Sequence, residues 1–421
     1  MHPLKALLLG FFVACFPVFG NAATVPQALT AADLVEIAVE VNPQVRATRE
    51  QWEASQHQIL QNYAPADPIL TYGNIDSSRN FNAATHAIGV SESFQFPGEA
   101  LLQADNAKRT AEIARLTYEA AVRDLRANVE IAYYQVLLDQ ALIDVNAQNI
   151  VNLKQVVRVV QTQYEANQAS QADLIGAQFA LTQAQLQERQ YETNRANDRV
   201  GLNQLLYRKP GSPLELDSRI QIRQLRMNLT DAVDAATRKR QEIIQAALTQ
   251  KTSMTAVKLA EMEYLPNYTL LYEYDDFLQF GAQPLPGVTN AHTFSIGLNV
   301  PIFFWIHQRE DVRAAEHSLQ AAHYSMESVL GQTEAAVTQL YRSAQFAYES
   351  AQQYKESLIP LADQQFKVAL TAYETGKVDF LTLAAALQNT YAARITYLQN
   401  SNQFLAGEIA LEQAMGITFP R

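Results

Sequence analysis

The chain has 421 residues, 48% of them hydrophobic, and its 43 acidic against 32 basic side chains give a formal net charge of −11. That sign disfavours nucleic-acid binding, and a single cysteine, Cys15, rules out a disulfide or thiolate-held metal framework. Length alone suggests two or three domains, but the repeats described below favour two intimately packed halves of one body.

Taken in chain order, Lys5 precedes an apolar run from Ala6 to Phe19 and then Gly20-Asn21-Ala22, the layout of a secretory signal peptide over 1–22. The alternative is a lipobox at Phe12-Val13-Ala14-Cys15 with Cys15 lipidated, which Phe12 fits poorly. No later stretch approaches the roughly 20 apolar residues of a membrane helix. A first repeat is expected over 23–210, a linker rich in Pro and Gly over 211–230, and a second repeat over 231–421.

The first repeat offers two strands, Ile69 to Ile75 and Ala87 to Phe96, around the polar loop Asp76 to Thr85. From 98 to 165 there is no proline and, after Gly98, no glycine, so the segment reads as one helix on the order of 100 Å long. Val122, Val129, Val136, Ile143, Ile150, Val157 and Tyr164 recur every seventh residue. That period imposes supercoiling against a neighbour. A second row, Leu125, Ala132, Leu153 and Val160, is interrupted by Asp139 and Asn146, expected to face water. A second helix follows through Leu174, Ala177, Leu181 and Ala184, and the turn between the two falls at Asn167-Gln168.

The second repeat has the same plan. Tyr268 to Tyr274 and Phe294 to Ile302 alternate as strands, and the latter shows one greasy and one polar face. Val337, Leu340, Ala344, Ala347, Ala351, Tyr354, Leu358 and Leu361 mark a helix that Pro360 should kink. Its hairpin turns at Gly376-Lys377 and returns through Leu387, Tyr391, Ile395 and Leu398. Tyr164-Glu165-Ala166-Asn167 recurs 209 residues later as Tyr373-Glu374-Thr375-Gly376, and both tips should point the same way.

Four strands cannot close a barrel, because about eight are needed to enclose even packed side chains. An open sheet edge in lipid leaves backbone groups unpaired at several kcal/mol each. An exported chain with aromatic, alternating strands therefore has to share its barrel, and three copies supply twelve strands. Phe94, Phe96, Phe303, Phe304 and Trp305 sit where strands turn into helices, as in an interfacial girdle. The expected fold is mainly α: long coiled-coil helices form an α-barrel, and four strands per protomer join a shared 12-stranded trimeric β-barrel.

The repeated tips, paired hairpins and leader resemble the TolC-type outer-membrane efflux proteins over essentially the whole mature chain. Glu263-Tyr264-Leu265-Pro266-Asn267-Tyr268 and Ile296-Gly297-Leu298-Asn299-Val300-Pro301 look most like the heavy-metal cation branch. The resemblance implies a homotrimeric channel through outer-membrane lipid with a periplasmic helical tunnel. It also implies a periplasmic adaptor and an inner-membrane pump of the RND type, docking at the tips. Adaptor-facing residues would be Tyr164, Asn167, Gln168, Tyr373, Gly376 and Lys377. The family narrows its entrance with acids six and nine positions past the tip glycine, where this chain has Thr382 and Ala385, and Asp173 and Gly176 in the first repeat. Asp173 and Asp379, with Thr382, are the expected entrance residues. A ring of such carboxylates would raise its own pKa values, whereas Asp173 could instead simply cap its helix. Tyr207 stands where the second repeat has Gly416.

Catalysis, cofactors and dedicated metal sites are not expected: His292, His307, His317 and His323 lack metal-site spacing, and there is no phosphate-cradling loop or nucleophile elbow. Passive conduction of metal cations or small toxic compounds is the favoured reading. A conduit for type I protein secretion and, less favoured, a periplasmic coiled-coil adaptor are the alternatives.

Overall fold

The computed structural model describes residues 28–75, 85–217, 222–276 and 291–418. The expected leader, Cys15 and the loop prolines and glycines at 281–287 lie outside these residues. The described chain contains two copies of one plan. In the first, α1 (Ala31–Val41) and α2 (Pro43–Tyr63) lead into β1 (Ile69–Ile75) and β2 (Thr85–Phe94), then α3 (Glu99–Glu165) and α4 (Gln171–Leu205). In the second, α5 (Leu229–Lys239) and α6 (Gln241–Met262) lead into β3 (Tyr268–Asp276) and β4 (Ala291–Leu298). The copy then continues as α7 (Gln308–Gln353), a π-helical turn at Tyr354–Leu358, α8 (Ile359–Glu374) and α9 (Phe380–Met415).

Local chemistry sets these boundaries. Thr30 and Asp33 form a capping box at α1, and Asn228 caps α5 through the N–H of Asp231, so the second repeat starts inside the expected linker. Asn42 caps α2, whose first residue is Pro43. The 67 residues of α3 confirm the uninterrupted helix. Pro360 does not simply kink its helix. Lacking an N–H and crowding the carbonyl four residues back, it is accommodated by the π turn that immediately precedes α8. The strand expected to reach Ile302 stops at Leu298, before Pro301.

The sheet is antiparallel in the order β1-β2-β3-β4, with Tyr72 opposite Ile88, Ile88 opposite Tyr274 and Tyr272 opposite Phe294. That register gathers Leu70, Tyr72, Ile88, Val90, Tyr272, Phe294, Ile296 and Leu298 on one face, all exposed on the protomer. The other face carries Thr71, Gly89, Ser91, Thr269, Glu273, Thr293 and Ser295. Among the described residues no helix is long and apolar enough to cross a membrane.

Below the sheet the long helices pack side by side, with α1 and α5 packed against α3 and α7. On the strand side the neighbours run α2, α3, α6, α7; on the tip side they run α4, α3, α9, α8. Two matching cores sit between the levels: Leu34, Ala38, Val129, Leu202 and Leu206 in the first repeat, and Ala232, Ala236, Val337, Leu411 and Met415 in the second. The repeats are joined where Arg123 pairs with Glu242 at 2.6 Å and Arg240 with Glu242 at 3.0 Å. Burial alone would raise the Glu242 carboxyl, but its hydrogen bonds and these arginines outweigh that and hold it at about 2.

Asp139 and Asn146 do not face water. Both are buried between α3 and α4. The Asn146 amide donates to the carbonyl of Ala184 at 2.9 Å. Burial and a hydrogen bond with Asp198 push the Asp139 carboxyl up to about 7, against the pull of Arg195. The heptad pattern placed these two residues in the seam correctly; it could not tell that their polar atoms stay inside it.

Candidate functional site

Both hairpins end together, as expected: the Gln163 side chain donates to the carbonyl of Glu374 at 3.0 Å. The turns use the same left-handed backbone in different residues, Asn167 at φ 56° and Gly376 at φ 69°. Beneath them one core serves both repeats, with Val160 and Ala177 from the first and Leu383, Ala386 and Leu387 from the second.

Tyr164, Asn167, Gln168, Gly376 and Lys377 are exposed at the tips, but Tyr373 is not. Its ring belongs to the shared core, 6.5 Å edge-on from Phe380, while its copy Tyr164 lies 40% exposed. Tyr373 is therefore off the exposed tip surface in the protomer, unlike the other five residues expected there. Burial, and then the nearby charge of Asp173, raise the Tyr373 hydroxyl, which finds no hydrogen-bond partner among the described residues. Asp173 of the first repeat is thus near enough for its charge to act on Tyr373 of the second.

The entrance acids have structural partners. Ser170 and Asp173 form a capping box at α4, with the Ser170 N–H donating to Asp173 at 3.0 Å. Asp379 caps α9 by accepting the N–H of Thr382 at 2.8 Å. Hydrogen bonding from the Thr382 side chain, and then from its backbone N–H, holds the Asp379 carboxyl below its ordinary range in the protomer. Thr382 itself is exposed. Phe380, just past the second tip, has its ring 3.1 Å from where a Cβ on Gly176 would sit, so the glycine makes room for it. The signal was available, since Gly176 interrupts an otherwise alanine-rich face.

At the other end of the molecule, the polar sheet face carries Glu273 and Asp275, and β1 to β4 contain no lysine or arginine. Phe303, Phe304 and Trp305 are exposed beside it, with Trp305 edge-on to both phenylalanines and Phe304 tilted against Tyr264, an arrangement consistent with a girdle. Among the described residues no group of three or more His, Cys, Asp or Glu could hold a metal ion.

The sequence matches the family described as outer membrane efflux protein over residues 34–206 and 232–417. It is 22% identical over 403 residues to the cobalt-zinc-cadmium resistance protein CzcC of Cupriavidus metallidurans, covering 95% of this chain and 92% of that one. Two solved structures share the fold. The channel CusC superposes with a TM-score of 0.80 at 16% identity, covering 95% of this chain and 96% of that one. The outer membrane protein VceC of Vibrio cholerae superposes with 0.79 at 14% identity, covering 93% and 97%.

Proposed function

The chain belongs to the outer membrane efflux protein family, and from that membership we propose that it serves a pump of the RND type through a periplasmic adaptor, exporting heavy-metal cations or small toxic compounds. It is the outer-membrane channel of a tripartite efflux system, with a periplasmic helical tunnel. The observation that carries the reading is the sheet: four strands with a largely exposed apolar face and two open edges, stable in lipid only when other copies complete the barrel. Three copies give twelve strands and bring the polar face, with Glu273 and Asp275, to the lumen, where fixed negative charge attracts cations.

Conduction is passive. In the protomer the two hairpins are tied by Gln163 to Glu374 and by Phe380 seated on Gly176. Opening the entrance parts the second hairpin from the first, and the π turn at Tyr354–Leu358 is the natural place for it to bend. Asp173 and Asp379 line the entrance while capping their helices, and Asn167, Gln168, Gly376 and Lys377 meet the adaptor. The metal branch is supported by the likeness to CzcC over nearly the whole chain.

Membrane fractionation and native gels test the assembly: trimers in the outer membrane are expected, and a soluble monomer would overturn it. Deleting the gene and scoring growth in zinc, cobalt, nickel, copper, dyes and antibiotics tests the cargo. Sensitivity confined to metals supports the metal branch, and sensitivity confined to dyes and antibiotics removes it.

A further inference from the structure

Just above the tips, α4 and α9 flank α3 and line a half-open chamber of about 550 Å³, within the size range of small-molecule sites. Alanines make the room: Ala177, Ala180 and Ala184 on α4 face Ala384 and Ala385 on α9. One end is closed by Phe380 and the other by Tyr191 and Tyr391, whose hydroxyls meet at 3.2 Å. Burial and the Tyr191 hydroxyl raise Tyr391 further above its ordinary value, so its hydroxyl stays uncharged. Asn149, Gln183, Gln187 and Gln388 supply amides, and no charged side chain lines the chamber.

A second observation points to a ligand. Asn146, fully buried, also lines this space; its amide nitrogen donates to the Ala184 carbonyl, and its Oδ1 has no partner among the described residues. A buried acceptor left unpaired costs on the order of 1–3 kcal/mol, and a donor placed in the chamber removes that cost. The position on the wall follows from curvature. Helices on either side of α3 can meet, as Tyr191 and Tyr391 do, only on the concave side of the row α4, α3, α9, and in a ring closed by three such rows the concave side is the lumen.

We propose that this chamber is a lumen-wall binding site for an uncharged, amphipathic organic molecule carrying an N–H or O–H donor. The site rests on the conduit reading and, within it, selects organic compounds over metal cations as the cargo it holds. An ion here would lose its hydration to a wall without counter-charge, whereas an apolar ring meets alanine, Phe380 and Leu387 and its polar group meets the amides.

The test uses the full-length trimer in lipid nanodiscs and the uncharged fluorophore N-phenyl-1-naphthylamine, whose single N–H matches the free acceptor. Saturable binding is expected, weakened about tenfold or more by Ala384→Trp, which fills the chamber, and roughly fivefold by the gentler Gln187→Ala. Excess zinc should not displace the probe. Equal binding by wild type and both variants means lipid partition only and overturns the site; displacement by zinc overturns the assigned class. Conductance of the same samples in planar bilayers separates the two readings. Conducting trimers without saturable binding sink the chamber alone, and absence of trimers sinks the conduit and the chamber with it.

Discussion

The first hairpin climbs on one unbroken helix of 67 residues, while its copy is divided into 46 residues, a π turn and 16 more. The same tip tetrad also ends differently: Tyr164 lies in the open and Tyr373 inside the shared core. A duplicated design has thus kept its topology while assigning the halves different mechanical parts, a stiff strut and a jointed one. At the far ends of the return helices the contrast inverts. Tyr207 and Gly416 occupy the same left-handed backbone, φ 51° and 67°, yet a Cβ on Gly416 would lie 2.9 Å from Arg240 Cα and from the Lys239 carbonyl. There the second repeat is packed against backbone and the first is free.

The most severe way to break the contrast is to move the joint. Val151 is the α3 position corresponding to Pro360, and it is 56% exposed, so Val151→Pro changes backbone more than packing. Without a π turn to receive it, the proline should cost about 3 kcal/mol or more, read as loss of heat-resistant trimer, whereas Pro360→Ala should leave the trimer intact. Next in size, Gly416→Ala adds a left-handed penalty of roughly 1–2 kcal/mol to a steric clash of similar order. The same backbone in the first repeat should respond oppositely: Tyr207→Gly is expected to stabilise by about 1 kcal/mol in thermal unfolding.

The strut also holds a titrating group the joint lacks. Asp139, raised to about 7, keeps its proton in the folded state over a range where the unfolded chain has released it. Stability should therefore fall as pH rises from about 4 through about 7 and level off above. Asp139→Asn should flatten that slope in melting curves taken across the window; an unchanged slope would place the proton elsewhere. The smallest effect belongs to the caps. Asp379→Ala should cost about 1 kcal/mol, and channel conductance compared with Ser170→Ala will show which hairpin governs the entrance.

Much of this was legible before any coordinates. The duplication, the continuous α3, the four strands and both turns follow from repeats, spacing and the absence of helix breakers, all local or periodic signals. Single side chains at the tips were harder. The family resemblance, counted from Asn167 and Gly376, pointed to Asp173 and Thr382, but nothing local says that the charge of Asp173 would reach Tyr373 or that Phe380 would settle on Gly176, because both pairs join residues about 200 positions apart. Asp139 and Asn146 were visible as breaks in a stripe, and their burial was not.

What the sequence determined alone is the set of parts and their order, since helix length, strand alternation and capping depend on neighbours a few residues away. The tertiary structure decided which copy of each part is inside or outside. Two near-identical segments fold into unequal surroundings once they pack against each other, and burial, a property of that packing, then sets the partners and charge of each side chain.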